Sequence, residues 1–244
     1  MELNPMHQFE IYRIGPEINL GNINLSFTNA SLFMALSAIT ILLFLYLGTK
    51  KKSLIPSKMQ MVTEMSYSFV AKMINDTAGS SAKPFFPFIF TLFMFVLFCN
   101  MVGMLPYSFT VTSHIIVTLM LATVVFVGVT IIGFIKHGIK SLELFVPKGV
   151  PIILLPLIIV IEIISYLSRP VSLSVRLFAN MMAGHTMLKV FGGFVISLGL
   201  LGGWLPLGFS VALIGLEILV AFLQAYVFAI LTCIYLNDAI NLQH

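Results

Sequence analysis

Five long stretches of this chain carry only scattered polar side chains, and they restrict the fold more than any other feature. They cover residues 30–47, 84–106, 112–135, 157–196 and 207–241. Apolar runs of about 20 residues are what a helix needs to cross a bilayer core about 30 Å thick. Hydrocarbon offers backbone N–H and C=O groups no partner, so the chain must close its hydrogen bonds inside helices or a sealed barrel. The runs are continuous and do not alternate with a period of two, which selects helices. Composition agrees. Of the 244 residues, 59% are hydrophobic and 9% charged, whereas soluble domains carry about 25% charged residues. The expected fold class is an all-α integral membrane protein.

The cations orient the spans. The net charge is +4, and in a membrane protein a basic excess collects in loops on the cytoplasmic or matrix side. That side is called inner here. Lys50, Lys51, Lys52 and Lys58 follow the first run, and Lys136, His137, Lys140 and Lys148 follow the third. The short "YSFT" between the second and third runs has no charge, as an outer loop should. Only Arg13, Arg176 and Lys189 fall outside inner loops or inner helix ends. Residues 1–29 read as a mixed, polar surface segment, with Asn29 or Ser31 as the cap of the first span. In residues 56–83, Met61, Met65, Phe69 and Met73 recur every fourth position, and Val62, Val70 and Ile74 widen that face. This pattern predicts an amphipathic helix lying in the inner interface; a helix of a small soluble lobe is the alternative.

The last two runs are too long for upright spans. Residues 157–196 would form about 60 Å of helix and residues 207–241 roughly 50 Å. Either each is strongly oblique or each breaks in two. Pro170 kinks a helix more readily than it ends one, and "MMAGH" is a weak break signal. The expectation is a hairpin of two long, strongly tilted helices joined at "GLLGGWLP". The chain then divides into the surface segment 1–29, peripheral membrane helices over 30–148 with the interfacial helix 56–83, and a tilted hairpin over 149–244.

Polar residues interrupt that hairpin. The first long run holds Glu162, Arg169, Arg176, Asn180 and His185, and the second holds Glu217, Gln224, Asn237 and Asp238. Folding about Leu200 sets Gln224 opposite Arg176, Asp238 opposite Glu162, and Glu217 within about two positions of His185. Glu162 lies ~21 Å along the axis from Arg176 at a phase difference of roughly 40°; His185 lies ~14 Å the other way and points about 180° off. Arg176 and Asn180 share a face as an i,i+4 pair. A titratable pair therefore sits toward each side of the membrane, with Arg176 between them. A guanidinium cannot give up its proton, so it blocks a continuous proton wire and attracts a carboxylate. Intramembrane ionisable groups are costly and mark function by default.

Plainer roles stay open for several of these. Glu162 fits a helix-end carboxylate, Asp238 a solvated one near the chain end, and Arg169 a structural pair. Asn180 and Gln224 fit helix-to-helix hydrogen bonds. Asn100 and His114 border the outer ends of other spans and would line water there. Cys99 and Cys233 lie far apart and read as small core residues. No P-loop, GxGxxG, HExxH or repeat of 20–50 residues is present, so neither cofactor, metal, nucleic acid nor direct nucleotide binding is expected. A self-sufficient transporter or channel and a purely structural anchor also suit the composition; against the first, no repeat relates the two halves.

Two segments carry a specific resemblance: "SRPVSLSVRLFANMMAGH" and "LEILVAFLQAYVFAILTCIYLNDAINL". With "MHQFEI", "LIPSK" and "FCNMVGMLPYSFTVTSHIIVT", they make the chain similar over essentially its whole length to subunit a of the F-type ATP synthase. That resemblance implies a stator subunit cupping a rotating ring of c subunits, with two offset proton half-channels. It implies the essential arginine at Arg176, outer half-channel groups at His185 and Glu217, inner carboxylates at Glu162 and Asp238, and ring-facing polar groups at Asn180 and Gln224. Some bacterial members carry the Glu and His in swapped order, so the pair matters more than the order. The implied partners are the c-ring, peripheral stalk subunit b, other membrane-sector subunits, protons and lipids. The implied place is an energy-coupling membrane. The His185 version with "YLNDAIN" resembles mitochondrial and alphaproteobacterial members; the mitochondrial inner membrane is the first expectation and a bacterial plasma membrane the second.

Overall fold

The computed structural model describes residues 7–14, 19–20, 23–24, 26–50, 55–105, 108–138 and 154–241. Lys51, Lys52, Lys140 and Lys148, and residues 149–153 of the expected hairpin region, lie outside them. A two-residue-per-strand hairpin, β1 Asn19–Leu20 with β2 Ile23–Asn24, precedes six helices. These are α1 Asn29–Thr49, α2 Lys58–Ala78, α3 Phe86–Gly103, α4 Ile115–His137, α5 Leu155–Gly202 and α6 Trp204–Ile240. All but α2 are long and apolar enough to cross a membrane, so the chain is an all-α, multi-pass membrane protein.

The start of α1 differs in detail from expectation. Thr28, in extended backbone, is the cap, and its side chain and that of Ser31 bond reciprocally as a capping box. The two orphan donors at the helix start are thereby satisfied. The buried face of α2 also differs. Gln60, Thr63, Val70, Met73, Ile74 and Ala78 are buried, while Met61, Val62 and Met65 are exposed. Only the second half of the apolar stripe packs on the chain, where Phe69 meets Phe93, Phe222 and Tyr226 at ring separations of 5.7, 5.8 and 5.7 Å. Near its start, α2 instead meets α1 through a close approach at Gly48.

The first long helix runs unbroken as far as Gly199, and α6 is continuous. Within α5 the only non-helical residue is Gly199, at φ 60° and ψ −157°, so Pro170 and "MMAGH" leave the helix unbroken. A left-handed φ suits glycine, which lacks the Cβ that would clash. It ends a helix of 45 residues, and α6 follows with 37. At about 1.5 Å per residue these lengths are roughly twice the hydrocarbon thickness, so neither stands upright.

The core lies where α6 passes under α3 and α4. Ala221, Ala225, Ala229 and Cys233 recur every fourth residue on α6, and all are fully buried. Without a hydrophobic drive between helices in lipid, small side chains allow the close backbone approach that makes dispersion contacts count. Phe93 of α3 and Phe228 of α6 fill the space beside this stripe. The free thiols Cys99 and Cys233 are both buried there, as read from the sequence. Two polar pins hold α4 on α5: the Thr118 and Ser174 hydroxyls at 3.0 Å, and the Thr130 and Tyr166 hydroxyls at 2.7 Å.

The α1–α2 contact has no room to spare. A Cβ on Gly48 would stand 2.1 Å from Thr63 Oγ1 and 2.7 Å from Thr63 Cβ. Gly48→Ala is expected to lower the thermal unfolding midpoint of the detergent-solubilised chain, by the ~1–3 kcal/mol typical of overpacking. Adding Thr63→Gly should recover most of that loss; an additive double variant would count against the contact.

Candidate functional site

The contact face of the hairpin is built from polar layers. In the layer nearest the hairpin turn, His185 of α5 and Glu217 of α6 form a hydrogen-bonded pair through Nδ1 and Oε1. Both side chains are largely buried, at 11% and 5% exposure. Gly184 makes room for the carboxylate, because a Cβ there would lie 3.0 Å from Glu217 Oε1. The other ring nitrogen, Nε2 of His185, faces the carbonyl oxygen of Gly103 at 3.0 Å. Gly103 is the last residue of α3, and helix C-terminal carbonyls lack intrahelical donors and carry partial negative charge. The Ser108 and Thr110 hydroxyls also reach this oxygen, at 2.8 and 3.2 Å.

The imidazole therefore sits between two acceptors. A neutral ring has one N–H. With Nε2–H donating to Gly103, a further proton must lie between Nδ1 and Glu217 for the second bond to exist. The pair can hold that proton on either partner and pass it on. The two residues that the sequence analysis set within about two positions of each other are thus in direct contact.

Asn100 reinforces the same corner. It is fully buried; its Nδ2 donates to the Ala221 carbonyl at 3.3 Å and its Oδ1 accepts from Thr112 Oγ1 at 2.8 Å. It thus ties α3 and the turn before α4 to α6, one helical turn from Glu217. Its burial and these two bonds make it a clamp between the helices. His114 is half-buried, with its ring stacked on Phe109 at 4.9 Å and its Nε2 buried without a hydrogen-bond partner among the described residues. No direct bond links it to His185 or Glu217.

One layer further in, Asn180 Nδ2 donates to Gln224 Oε1 at 3.0 Å. The hairpin register thus sets Gln224 against Asn180, one turn from Arg176, and not against Arg176 itself. Gln224 is buried at 1% exposure, so it supports Asn180 from behind and does not share its outward face.

Arg176 points the other way. It is exposed, and it makes no hydrogen bond or ion pair with any described residue. Ser168, Ser172, Ala179 and Ala183 are exposed near it on α5, with Leu167 and Val171 beside them. The phase separation read from the sequence holds: Arg176 and Asn180 face outward while His185 faces α6.

Farther from the hairpin turn the layout departs from expectation. Asp238 pairs with Arg169 at 3.3 Å and not with Glu162. The Arg169 guanidinium lies over the rings of Tyr166 and Tyr235, at 5.3 and 5.0 Å. The two rings hold the Arg169 guanidinium within reach of the carboxylate. Glu162 is half-buried two turns before Arg169 on α5. Residues that side-chain chemistry could not flag also belong here. Gly103 contributes only a carbonyl, and Gly184 only an absence of side chain.

Comparison with known proteins shows the family. Residues 31–237 match the family described as ATP synthase A chain. The chain is 78% identical over 244 residues to ATP synthase subunit a of Pelagibacter ubique, covering all of both proteins. It is 59% identical over 250 residues to that of Chelativorans sp., again covering all of both. It is 60% identical over 247 residues to that of Rhizobium rhizogenes, covering 99% of this chain and 98% of the relative. These relatives are bacterial, which favours a bacterial energy-coupling membrane over the mitochondrial one named first from the sequence. By both the family match and full-length relatives, the chain belongs to the ATP synthase subunit a family, as a multi-pass subunit of the membrane sector.

Proposed function

We propose that the chain is the stator against which a ring of c subunits turns, and that it supplies two offset proton half-channels separated by Arg176. One observation carries the reading. A permanent cation stands on an exposed helix face of a membrane protein, without an acidic partner among the described residues. A charge at the bilayer centre is costly and does not stay unpaired against lipid. The small residues around it suit a closely packed helix bearing a carboxylate, and Asn180 offers that carboxylate a hydrogen bond from the same face.

The path follows from the layers. A proton from the outer side reaches the His185–Glu217 pair and resides between Nδ1 and the carboxylate. The pair passes it to a ring carboxylate, which becomes neutral and can move through lipid. After the ring has turned, that carboxylate arrives from the other side. It gives its proton to inner groups, with Glu162 as first acceptor because Asp238 is engaged by Arg169, and as an anion it pairs with Arg176. Each charge crossing supplies about 2.3 kcal/mol per 100 mV of membrane potential. Arg176 cannot release a proton, so the two half-channels do not join into a leak. Asp238 acts with Arg169 in shaping the inner exit. Peripheral stalk subunit b and other membrane-sector subunits hold the stator still, and nucleotide chemistry takes place elsewhere in the complex.

Arg176→Ala in the assembled complex, reconstituted into vesicles, should abolish ATP-driven acidification; pumping at normal coupling would sink the proposal. Glu217→Gln should slow proton flux by about 100-fold or more, the scale of a lost acid–base group, whereas a merely structural pair would leave flux intact. Gly184→Ala should move the Glu217 carboxylate by a few tenths of an ångström. Flux should fall several-fold, while the amount of assembled complex recovered from membranes stays unchanged.

A further inference from the structure

Away from the proton path, α2 and the segment leading into α3 enclose a cavity of about 520 Å³. Volumes of about 300–1,000 Å³ suit a small ligand. Its polar rim is Lys72 and Asn75 from α2 and Lys83 from the 3-10 turn Ser80–Phe85; its apolar wall is Tyr67, Ile74 and Phe86. Both lysines are exposed, and neither forms an ion pair with a described residue. Asp76, one turn beyond Lys72, forms none with it either. The wall is well built: Ile74 is 2% exposed, and the Tyr67 and Phe86 rings lie 4.5 Å apart at 51°.

Two unpaired ammonium groups above an aromatic and aliphatic wall select an amphiphile with an anionic head. A soluble anion would use the lysines but gain nothing from the wall, and a neutral lipid would use the wall but leave the lysines unpaired. Position agrees. Helix α2 is not among the helices apolar enough to cross, and it follows the lysines at 50–58 that the positive-inside rule assigns to the inner side. Basic pockets between membrane helices on that side bind anionic headgroups. We propose that this cavity binds one anionic phospholipid of the inner leaflet. Lys72 and Lys83 contact its phosphate, Asn75 donates to an oxygen of its head, and the top of an acyl chain lies against Tyr67, Ile74 and Phe86. The lipid would join α2 to α3 and fix the depth at which α2 lies.

The test uses the full chain in the assembled complex, reconstituted in vesicles of phosphatidylcholine and phosphatidylglycerol at four to one. Trace photoactivatable phosphatidylglycerol or photoactivatable phosphatidylcholine is added at equal amounts, and cross-linked peptides are mapped by mass spectrometry. The expected result is preferential labelling of the peptide spanning residues 67–86 by phosphatidylglycerol, by about tenfold. K72Q and K83Q should each cut labelling about fivefold, the scale of one basic residue at an anionic surface. K72R/K83R should retain it, and its normal assembly separates lost binding from lost fold. Equal labelling by the two lipids would overturn the proposal. So would displacement by millimolar inorganic phosphate, which would mark a soluble-anion site. A partner-subunit segment cross-linked in the cavity in place of lipid would overturn it too.

Discussion

Hydrocarbon leaves a polar group no solvent to turn to, and this requirement orders the whole chain. It makes the five long elements helices. It also favours polar pairs at contacts between helices, and the hairpin helices make five of them among the described residues. Thr118 meets Ser174, Thr130 meets Tyr166, Asn180 meets Gln224, Arg169 meets Asp238, and His185 meets Glu217. Arg176 makes no such pair with a described residue, and under the proposed function its partner comes from another subunit.

Much of this is legible in the residue order. Apolar runs locate the spans because only helices fit them, and the two overlong runs demand tilt by length alone. Helical phase separates Arg176 from His185 because nine positions advance the helix by about half a turn beyond two full turns. Register is harder. From His185 to Asn180 is five positions on α5, while their partners Glu217 and Gln224 are seven apart on α6. Inward positions recur at three or four residues, so two crossing helices do not pair residue for residue. Folding about one residue thus finds the near layer, slips a turn at Gln224, and gives Asp238 the wrong partner further down.

Other features have no side-chain signature. The carbonyl of Gly103 is available because a helix ends there, and that end is set by packing at the turn before α4. Gly184 serves by lacking a Cβ. On α2 the periodicity of Met61, Met65 and Phe69 marks an apolar face, but it does not say which part meets protein and which part meets lipid. Contact with α1 through Thr63 and with α6 through Phe69 decides that. A single sequence records the pattern of a face more clearly than its neighbour.

The crowding at the Gly103 carbonyl has a kinetic meaning. His185 is one of three groups able to donate to that oxygen, and the hydroxyls of Ser108 and Thr110 remain within reach if the ring turns away. A carbonyl with a lone donor would be stranded by such a motion and would resist it. Here the acceptor stays satisfied throughout, so rotation of the imidazole sacrifices little beyond the histidine's own bond. Under the proposed function His185 hands on a proton in every cycle, and a tether easily undone and easily remade suits that role.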